Sequence, residues 1–304
     1  MKTLIVVAGP TGIGKTDFSI SLAQKLNTEI ISCDSRQMFR ELKIGTAVPE
    51  EAQLKAVKHH FIGNCSIHDY YNASMFEFEV IDLLQTLFQT HNEVVMTGGS
   101  GLYINAVCYG IDDLPTIDNE LREELHNKWI TYGIETLRFE LKKLDPDYYA
   151  IADLSNPKRL LKALEVCYMT GKPYSSFRTA QRKERNFNCL RICLQRDREE
   201  LYNIVDKRVD KMVEAGLVEE AQRFLEFKLL NSLNTVGYKE LFPYFEGEYS
   251  LEKAIELIKR NTRHYVKRQL SWFHRDGNWN WFHREATEKI FQFIEENISK
   301  ENNL

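Results

Sequence analysis

Residues 9–16 read Gly9-Pro10-Thr11-Gly12-Ile13-Gly14-Lys15-Thr16 and directly follow an apolar run at positions 4–8. The apolar run, the glycine-rich turn and a helix-competent stretch at 17–26 match the P-loop spacing G-x-x-x-x-G-K-[ST]. In a P-loop, backbone N–H groups surround a di- or triphosphate, and the lysine, here Lys15, adds a mobile cation. The Thr16 hydroxyl can ligate Mg²⁺. The motif therefore predicts a site for a phosphorylated ligand, most naturally ATP or another nucleotide, rather than an empty glycine turn.

Length and composition are those of an ordinary globular chain. Its 304 residues are 43% hydrophobic and 28% charged, which allows one large domain or two smaller ones. Because the formal net charge is −4, a nucleic-acid partner would need a local basic surface. Six cysteines without a C-x-x-C pair argue against a disulfide framework or a zinc site. With no signal-peptide pattern and no apolar run of membrane-spanning length, we expect a cytoplasmic protein that does not enter a membrane.

The alternation of strand and helix patterns predicts an α/β fold. Short strand-like runs at 29–33, 94–96 and 190–194 alternate with helical spacing, for example at 74–90, where Ser74 is a plausible cap. This alternation is typical of a P-loop NTPase-like parallel sheet with helices on both faces. Because ligands lie at the carboxyl ends of parallel strands, we expect the loops after the first three strands to line one site.

A reversal of charge indicates a second domain. Residues 112–155 hold eleven acidic and five basic side chains, whereas residues 156–198 hold three acidic and eleven basic ones. Helical patterns at 119–132, 134–144 and 158–169 occupy this region. We therefore expect a P-loop catalytic core of residues 1–114 and 188–304, interrupted by an all-helical insertion of residues 115–187. The C-terminal part of the core is mostly helical, with helices expected at 199–214, 218–229, 251–275 and 287–298.

The carboxylates are not placed as in a phosphoryl-transfer enzyme. A P-loop NTPase usually has an aspartate at the end of a strand to hold Mg²⁺. Here the third strand ends in Thr97-Gly98-Gly99, and the strand-end carboxylate is Asp34, after the second strand. Asp34 would face the P-loop across the site and could accept a proton from a substrate. A turn cap beside Ser35 is the plainer alternative.

Two basic clusters favour an RNA partner. Lys158, Arg159 and Lys162 share one helical face, and the long helix at 251–275 carries cations interleaved with aromatic rings. Cations can follow a phosphate backbone while aromatic rings stack on unpaired bases. Each cluster alone is more often a solvated face, but two of them beside a phosphate site favour RNA. The interleaved side chains are Arg263, Tyr265, Lys267, Arg268, Trp272 and Phe273.

Eight motifs follow one another in an order that spans essentially the whole chain. They are residues 9–16, 34–37, 44–47, 98–103, 156–159, 170–173, 236–239 and 267–272. A P-loop alone is shared by many activities, whereas this ordered set strongly resembles the tRNA dimethylallyltransferases, the bacterial tRNA isopentenyltransferases of the IPP transferase family.

The resemblance implies a transferase that acts in tRNA modification. Such an enzyme moves the dimethylallyl group of dimethylallyl diphosphate to N6 of the adenosine directly 3′ of the anticodon, typically in tRNAs that read codons starting with U. The product is an isopentenyladenosine, and the released diphosphate would be held by the P-loop with Mg²⁺ on Thr16. Asp34 would accept the N6 proton, and Arg198 would neutralise the leaving group. The adenosine would have to flip out of the anticodon loop to react.

The resemblance also implies contacts with the anticodon stem-loop of tRNA, partly through the insertion, and a monomeric enzyme. Three positions depart from the family pattern: Val48 replaces a common lysine, Ser100 a frequent threonine, and Lys162 an arginine, whose bidentate fork a lysine lacks. The tRNA contacts carried over by position are Asp34, Ser35, Arg36, Gln37, Ser100, Arg122, Lys158, Arg159, Leu160, Leu161, Lys162, Asn234, Thr235, Val236, Gly237, Tyr238, Lys239, Lys267, Arg268 and Trp272.

Three other functions are compatible with parts of the pattern. An adenylate isopentenyltransferase would share the P-loop and the base at Asp34 but would not need the two basic clusters. A P-loop kinase of a small metabolite would consume ATP and should carry a lid over the nucleotide base. An RNA-binding protein with a degenerate nucleotide site is disfavoured by the intact Gly14-Lys15-Thr16.

Overall fold

A computed structural model describes residues 2–112, 114–115, 117–179 and 181–302. Six strands within these ranges form one sheet in the order β3-β2-β4-β1-β5-β6, and every neighbouring pair is parallel. The expected α/β fold with a parallel sheet is therefore confirmed. The strands are β1 Thr3–Ala8, β2 Ile30–Ser32, β3 His59–His60, β4 Glu93–Gly98, β5 Asn188–Gln195 and β6 Asn280–His283.

Helices cover both faces of the sheet. Alternate residues of β1 point to opposite sides, so Leu4 joins the core cluster that contains Phe76 of the helix Ala73–Thr90, and Ile5 joins the one that contains Phe18 of the helix Lys15–Leu26. The helices are α1 Lys15–Leu26, α2 Glu51–Ala56, α3 Ala73–Thr90, α4 Gly101–Tyr109, α5 Asn119–Tyr132, α6 Ile134–Leu144, α7 Pro146–Ile151, α8 Pro157–Thr170, α9 Arg198–Glu214, α10 Leu217–Gln222, α11 Tyr238–Phe245, α12 Leu251–Arg275 and α13 Thr287–Asn302. Single 3₁₀ turns lie at Tyr174–Phe177, Leu225–Phe227 and Asn231–Leu233.

The chain divides into two compact units. Unit 1 comprises Met1–Tyr109 with Glu184–Leu304 and contains the whole sheet; unit 2 comprises Gly110–Lys183 and is helical. Unit 2 has its own core, in which Leu125 of α5, Leu137 of α6 and Leu164 of α8 are almost completely buried. Asp113 and Thr116, beside the expected boundary at residue 115, lie outside the described residues.

Several helix boundaries follow the sequence pattern closely. Helices α5 and α6 have the predicted bounds, and Gly133 separates them with φ +77°, a backbone conformation that favours glycine. Helix α12 also has its predicted bounds, and Ser250 caps it by accepting a hydrogen bond from Lys253 N. The six cysteines are free thiols, and no helix among the described residues is both long and apolar enough to cross a membrane.

Two local predictions were wrong. Helix α3 is capped by Asn72 rather than Ser74, because the Asn72 side chain accepts hydrogen bonds from the backbone N–H groups of Ser74 and Met75. The helix expected at 218–229 ends at Gln222, after which the backbone closes shorter turns, with Phe224 N donating to Ala221 O.

Candidate active site

The loops that follow β1, β2 and β4 meet around a small cavity, here called the P-loop chamber. Its volume is about 80 Å³, and its polar lining includes Lys15 and Thr16 after β1, Asp34 after β2, and Thr97 at the end of β4. The convergence follows from the parallel pairing of β4 with both β1 and β2, which places three carboxyl ends side by side. The expected three-loop site is therefore present.

The P-loop backbone depends on two of its glycines. Gly14 has φ +88° and leads directly into α1, and its carbonyl accepts a hydrogen bond from Arg284 Nε at 2.9 Å. Gly12 has φ +79°, and a Cβ there would lie 2.7 Å from Val205 Cγ1. Side chains at either position would therefore strain or displace the loop.

Lys15 is half-buried beside the other charged groups of the chamber. Its Nζ donates to Pro10 O at 2.9 Å, so the ammonium lies against the P-loop itself. Burial lowers the pKa of Lys15 to about 8; Asp34 partly opposes this effect, and Arg208 adds to it. A bound anion would stabilise the charged form of Lys15.

Asp34 caps a turn and also lines the P-loop chamber. Its Oδ1 accepts a hydrogen bond from Arg36 N at 2.9 Å, which confirms the local turn. The next residue, Ser35, donates its backbone N–H to Ser100 Oγ at 3.0 Å, so the loop after β4 holds this segment. Close contact between the two loops requires Gly98, because a Cβ there would lie 1.9 Å from Cys33 O.

A larger chamber adjoins the P-loop chamber. Its volume is about 280 Å³. Thr11, Asp34, Thr46, Arg208 and Tyr265 line both cavities, so the two chambers meet at these side chains. One wall of the larger chamber is apolar and the rest is polar or cationic. The apolar wall comprises Val205, Val209, Met212, Leu217 and Ile258, and the cations are Arg36, Arg208, Lys239 and Arg268.

Arg208 is the cation that sequence reasoning missed. It lines both chambers, burial lowers its pKa, and the Asp34 carboxylate opposes that shift. Its position was visible in the sequence as an arginine among the apolar side chains Val205, Val209 and Met212 of one helix.

Arg198, by contrast, does not line either chamber. It is exposed at the first residue of α9, where its Nε donates to the Tyr202 hydroxyl at 3.0 Å. Ten residues of helix separate it from Arg208, a rise of about 15 Å. The structure thus places Arg208, rather than Arg198, beside Asp34.

The chain is similar to several known proteins over most of its length. The family model described as IPP transferase matches residues 37–276. A protein named tRNA dimethylallyltransferase 1 from Bacteroides fragilis is 54% identical, with 98% of this chain and 99% of that protein covered. The tRNA dimethylallyltransferase of Christiangramia forsetii is 50% identical, with 97% and 98% covered. The chain belongs to the IPP transferase family.

A solved structure of this family shares the fold. The crystal structure of the tRNA isopentenylpyrophosphate transferase from Bacillus halodurans has a TM-score of 0.73 and 32% identity, and the match covers 100% of this chain and 99% of that one. The expectations of a transferase and of tRNA dimethylallyltransferase activity are confirmed by the agreement of relatives over the full length of this IPP transferase.

The segment 234–239 of this IPP transferase lies mainly at the larger chamber. Asn234, Thr235, Val236, Gly237 and Lys239 line it, and their contact with tRNA stays a prediction. Tyr238 does not: its side chain is completely buried, and its hydroxyl donates to Glu220 Oε1 at 2.6 Å. The Tyr238 side chain therefore stabilises the core and cannot contact RNA.

Arg36 and Gln37 hold loops together instead of pointing freely outward. Arg36 Nη1 donates to the carbonyls of Asn231 and Ser232 at 2.9 and 3.2 Å. Gln37 Nε2 donates to the carbonyls of Thr46 and Ala47 at 3.2 and 3.0 Å. Both side chains thus shape the chamber walls in addition to any contact with tRNA.

In unit 2, the tRNA contacts predicted on helix α8 form an exposed group and a buried group. Lys158 and Arg159 are exposed on the first turn. Leu160 and Leu161 are 0% and 8% exposed and belong to the core of unit 2, so their side chains are not available to RNA. The helical period turns these two leucines inward. Two further predicted contacts, Arg122 Nε and Lys162 Nζ, lie 3.3 and 3.7 Å from Glu165.

Helix α12 presents part of its predicted surface. Lys267, Arg268 and Trp272 are exposed, but Phe273 is completely buried and belongs to the core instead of the interleaved face. Gln269 of the same helix turns inward to the P-loop chamber, a role that the sequence pattern did not reveal.

The P-loop chamber has a donor set that suits Mg²⁺. Its lining includes four residues with oxygen-bearing side chains, Thr16, Ser32, Asp34 and Thr97, and hydroxyl and carboxylate oxygens are the ligands that this hard cation prefers. Mg²⁺ commonly takes one or two protein ligands and completes its shell with water and substrate phosphates. The residues present therefore fit the ion that Thr16 was predicted to bind.

Proposed function

We propose that this protein transfers the dimethylallyl group of dimethylallyl diphosphate to N6 of the adenosine 3′ of the anticodon and releases diphosphate. The observation that carries the proposal is the position of Asp34, which lines both the P-loop chamber and the larger chamber. A carboxylate at this junction lies between a phosphate site and a cavity large enough for an organic acceptor.

The diphosphate of the donor occupies the P-loop chamber in this proposal. Lys15, Arg208 and the backbone N–H groups of the P-loop neutralise the charge that grows as the carbon–oxygen bond breaks. Mg²⁺ held by Thr16, with Asp34, Ser32 or Thr97 nearby, would supply further charge neutralisation when bound. The apolar wall of the larger chamber suits the dimethylallyl group, which has no polar atom to satisfy.

The acceptor base enters the larger chamber. N6 of adenine attacks the allylic carbon, the carbon–oxygen bond to diphosphate breaks, and diphosphate leaves with the bonding electrons. N6 must lose a proton, and we assign its transfer to the second carboxylate oxygen of Asp34, since Oδ1 is engaged by Arg36 N. The ring of Tyr265, which lines both chambers, offers a surface on which the flipped base can stack.

Exposed cations, most of them outside the chambers, would hold the tRNA. We assign phosphate contacts to Lys158 and Arg159 of unit 2 and to Lys267 and Arg268 of α12, all of which are exposed cations. We further propose that the protein acts as a monomer in the cytoplasm, where unmodified tRNA and the prenyl donor occur together.

One experiment separates this function from the small-molecule alternative. The protein is incubated with dimethylallyl diphosphate labelled in its prenyl group and with either unmodified tRNA or AMP. We expect label in tRNA, lost when the adenosine 3′ of the anticodon is replaced by guanosine. Label on AMP with none on tRNA would contradict the proposal.

A further inference from the structure

Gln269 of α12 joins two loops of the P-loop chamber through its side-chain amide. Its Oε1 accepts a hydrogen bond from Thr11 N at 2.9 Å, and its Nε2 donates to Gly99 O at 3.0 Å. A backbone N–H can only donate and a carbonyl can only accept, so the two partners fix the orientation of the amide. The Gln269 side chain is buried, so both bonds are made away from competing water.

The hydrogen bond from Thr11 N to Gln269 reduces the number of P-loop N–H groups that can bind a phosphate. Thr11 N is directed to Gln269, so in this arrangement that N–H is not a donor to the diphosphate. Thr11 itself lies where the two chambers meet, beside Asp34. By holding the Thr11 backbone, Gln269 fixes the part of the P-loop closest to the reacting atoms.

The same helix carries the side chains assigned to RNA. Lys267 and Arg268 are exposed immediately before Gln269, and Tyr265, one turn earlier, lines both chambers. Trp272, one turn later, packs over Gly101, where a Cβ would lie 2.2 Å from Trp272 Cδ1. A shift of α12 on binding RNA would therefore be transmitted to Thr11 and to the loop after β4 through one buried side chain.

We propose that Gln269 is a positioning residue that couples tRNA binding on α12 to diphosphate binding in the P-loop. This inference rests on the proposed function, because it takes α12 as part of the tRNA surface. Coupling is reciprocal, so each ligand should tighten the binding of the other by the same factor.

The test measures binding and not turnover. Inorganic pyrophosphate is titrated into the full-length protein with and without an anticodon stem-loop RNA. We expect the RNA to tighten pyrophosphate binding by about fivefold or more in the wild-type protein, within the usual range for coupled sites. In Gln269→Leu the ratio should fall to about one, while RNA alone still binds within about twofold of wild type. The control is Gln292→Leu, since Gln292 lies exposed on α13 and donates a hydrogen bond to the exposed Glu296 of the same helix.

A second variant disrupts the hydrogen bonds of Gln269 through a change at its partner Gly99. A Cβ on Gly99 would lie 2.2 Å from Gln269 Nε2, so Gly99→Ala should displace the amide without changing Gln269 itself. We expect the same loss of coupling in Gly99→Ala, and no further loss in the double variant, because both changes remove one interaction. If Gln269→Leu does not fold, Gly99→Ala alone tests the coupling role of Gln269.

Three results would overturn the inference: no coupling in the wild-type protein, wild-type coupling in Gln269→Leu, or additive losses in the double variant. Prenyl transfer by the wild-type protein is measured separately. If transfer occurs and coupling survives in the variants, the inference fails while the proposed function stands. If transfer fails, the proposed function fails whatever the pyrophosphate ratios are.

Discussion

At the scale of single residues, Asp34 combines a structural and a chemical role. Asp34→Asn should preserve the hydrogen bond to Arg36 N, since an amide oxygen can accept it, but it removes the proton acceptor. We expect prenyl transfer to fall by about 10²- to 10⁴-fold, the usual contribution of a general base. The affinity for tRNA, measured by filter binding, should stay within about twofold.

The matched control for Asp34 is Asp82→Asn, because Asp82 is an exposed carboxylate on α3. This control should transfer the prenyl group at the wild-type rate. Wild-type turnover in Asp34→Asn would remove Asp34 from the base role and leave it as a turn cap only.

The lowered pKa of Lys15 predicts how the binding of diphosphate depends on pH. Because burial lowers its pKa to about 8, Lys15 is charged below that pH and loses its proton above it in the free protein. Above about pH 8, pyrophosphate affinity should therefore fall relative to that of a variant with a permanent cation at this position, by up to about tenfold per pH unit, as one proton is taken up with the ligand. Isothermal titration calorimetry at several pH values would measure this.

The control for this prediction is Lys15→Arg, whose guanidinium stays charged across the whole range. Between pH 8 and 10 its pyrophosphate affinity should change only as the ionisation of pyrophosphate itself requires. If the variant keeps the same inflection as the wild-type protein, another group is responsible for it.

Replacing Arg208 and replacing Arg198 should affect the binding of the leaving diphosphate differently. Arg208→Ala removes a half-buried cation beside Asp34, so pyrophosphate affinity should fall by about tenfold or more, as when a charge-assisted hydrogen bond is lost. Arg198→Ala removes an exposed side chain that bonds Tyr202 and should change that affinity by less than about twofold. The reverse pattern would restore Arg198 to the role that the family resemblance implied.

Some residues of the site could be predicted from the sequence, whereas others could not. The glycines, Lys15 and Asp34 could be placed because a P-loop and a strand-end carboxylate have fixed positions in a parallel sheet. Arg208 was missed because it comes from a helix far along the chain, and only tertiary packing brings it to Asp34. Tyr238 was misplaced because a motif does not distinguish a residue that touches RNA from one that supports its neighbours.

At the scale of secondary structure, helix α8 gives the sharpest test of RNA binding. Lys158 and Arg159 are exposed on its first turn, and replacing both by glutamine should weaken tRNA binding uniformly across tRNA sequences. The slope of log affinity against log salt should become shallower by about one to two, since each phosphate contact contributes somewhat less than one. Filter binding at several salt concentrations measures both effects.

The control for α8 is Lys289→Gln, since Lys289 is an exposed lysine on α13 outside every predicted RNA contact. It should leave the salt dependence unchanged. An unaltered slope in the Lys158 and Arg159 variant would return α8 to an ordinary solvated surface.

Helix boundaries could be predicted where the chain carries its own stop signals. Gly133 and Gly171 adopt positive φ at helix ends, and α5, α6 and α8 begin or end within one residue of the predicted positions. The region after α10 has no comparable signal, and its 3₁₀ turns were not foreseen. The inward turn of Leu160 and Leu161 follows from helical period once the bounds of α8 are known.

At the scale of the whole molecule, the two units contain different secondary structure. Unit 1 contains the parallel sheet and both chambers, and unit 2 contains the exposed cations of α8. The charge reversal along the sequence indicated a second domain, and the ordered motifs indicated the family. The full lining of the chambers could not be predicted, because their walls come from segments as far apart in the sequence as Thr11 and Gln269, which are 258 positions apart.

We propose that the P-loop of this protein holds a leaving diphosphate and not a phosphoryl donor. The most direct measurement follows both products of one reaction that contains dimethylallyl diphosphate and unmodified tRNA but no ATP. We predict about one pyrophosphate released for each adenosine modified, with no orthophosphate. A requirement for ATP, or the release of orthophosphate in step with modification, would contradict this account.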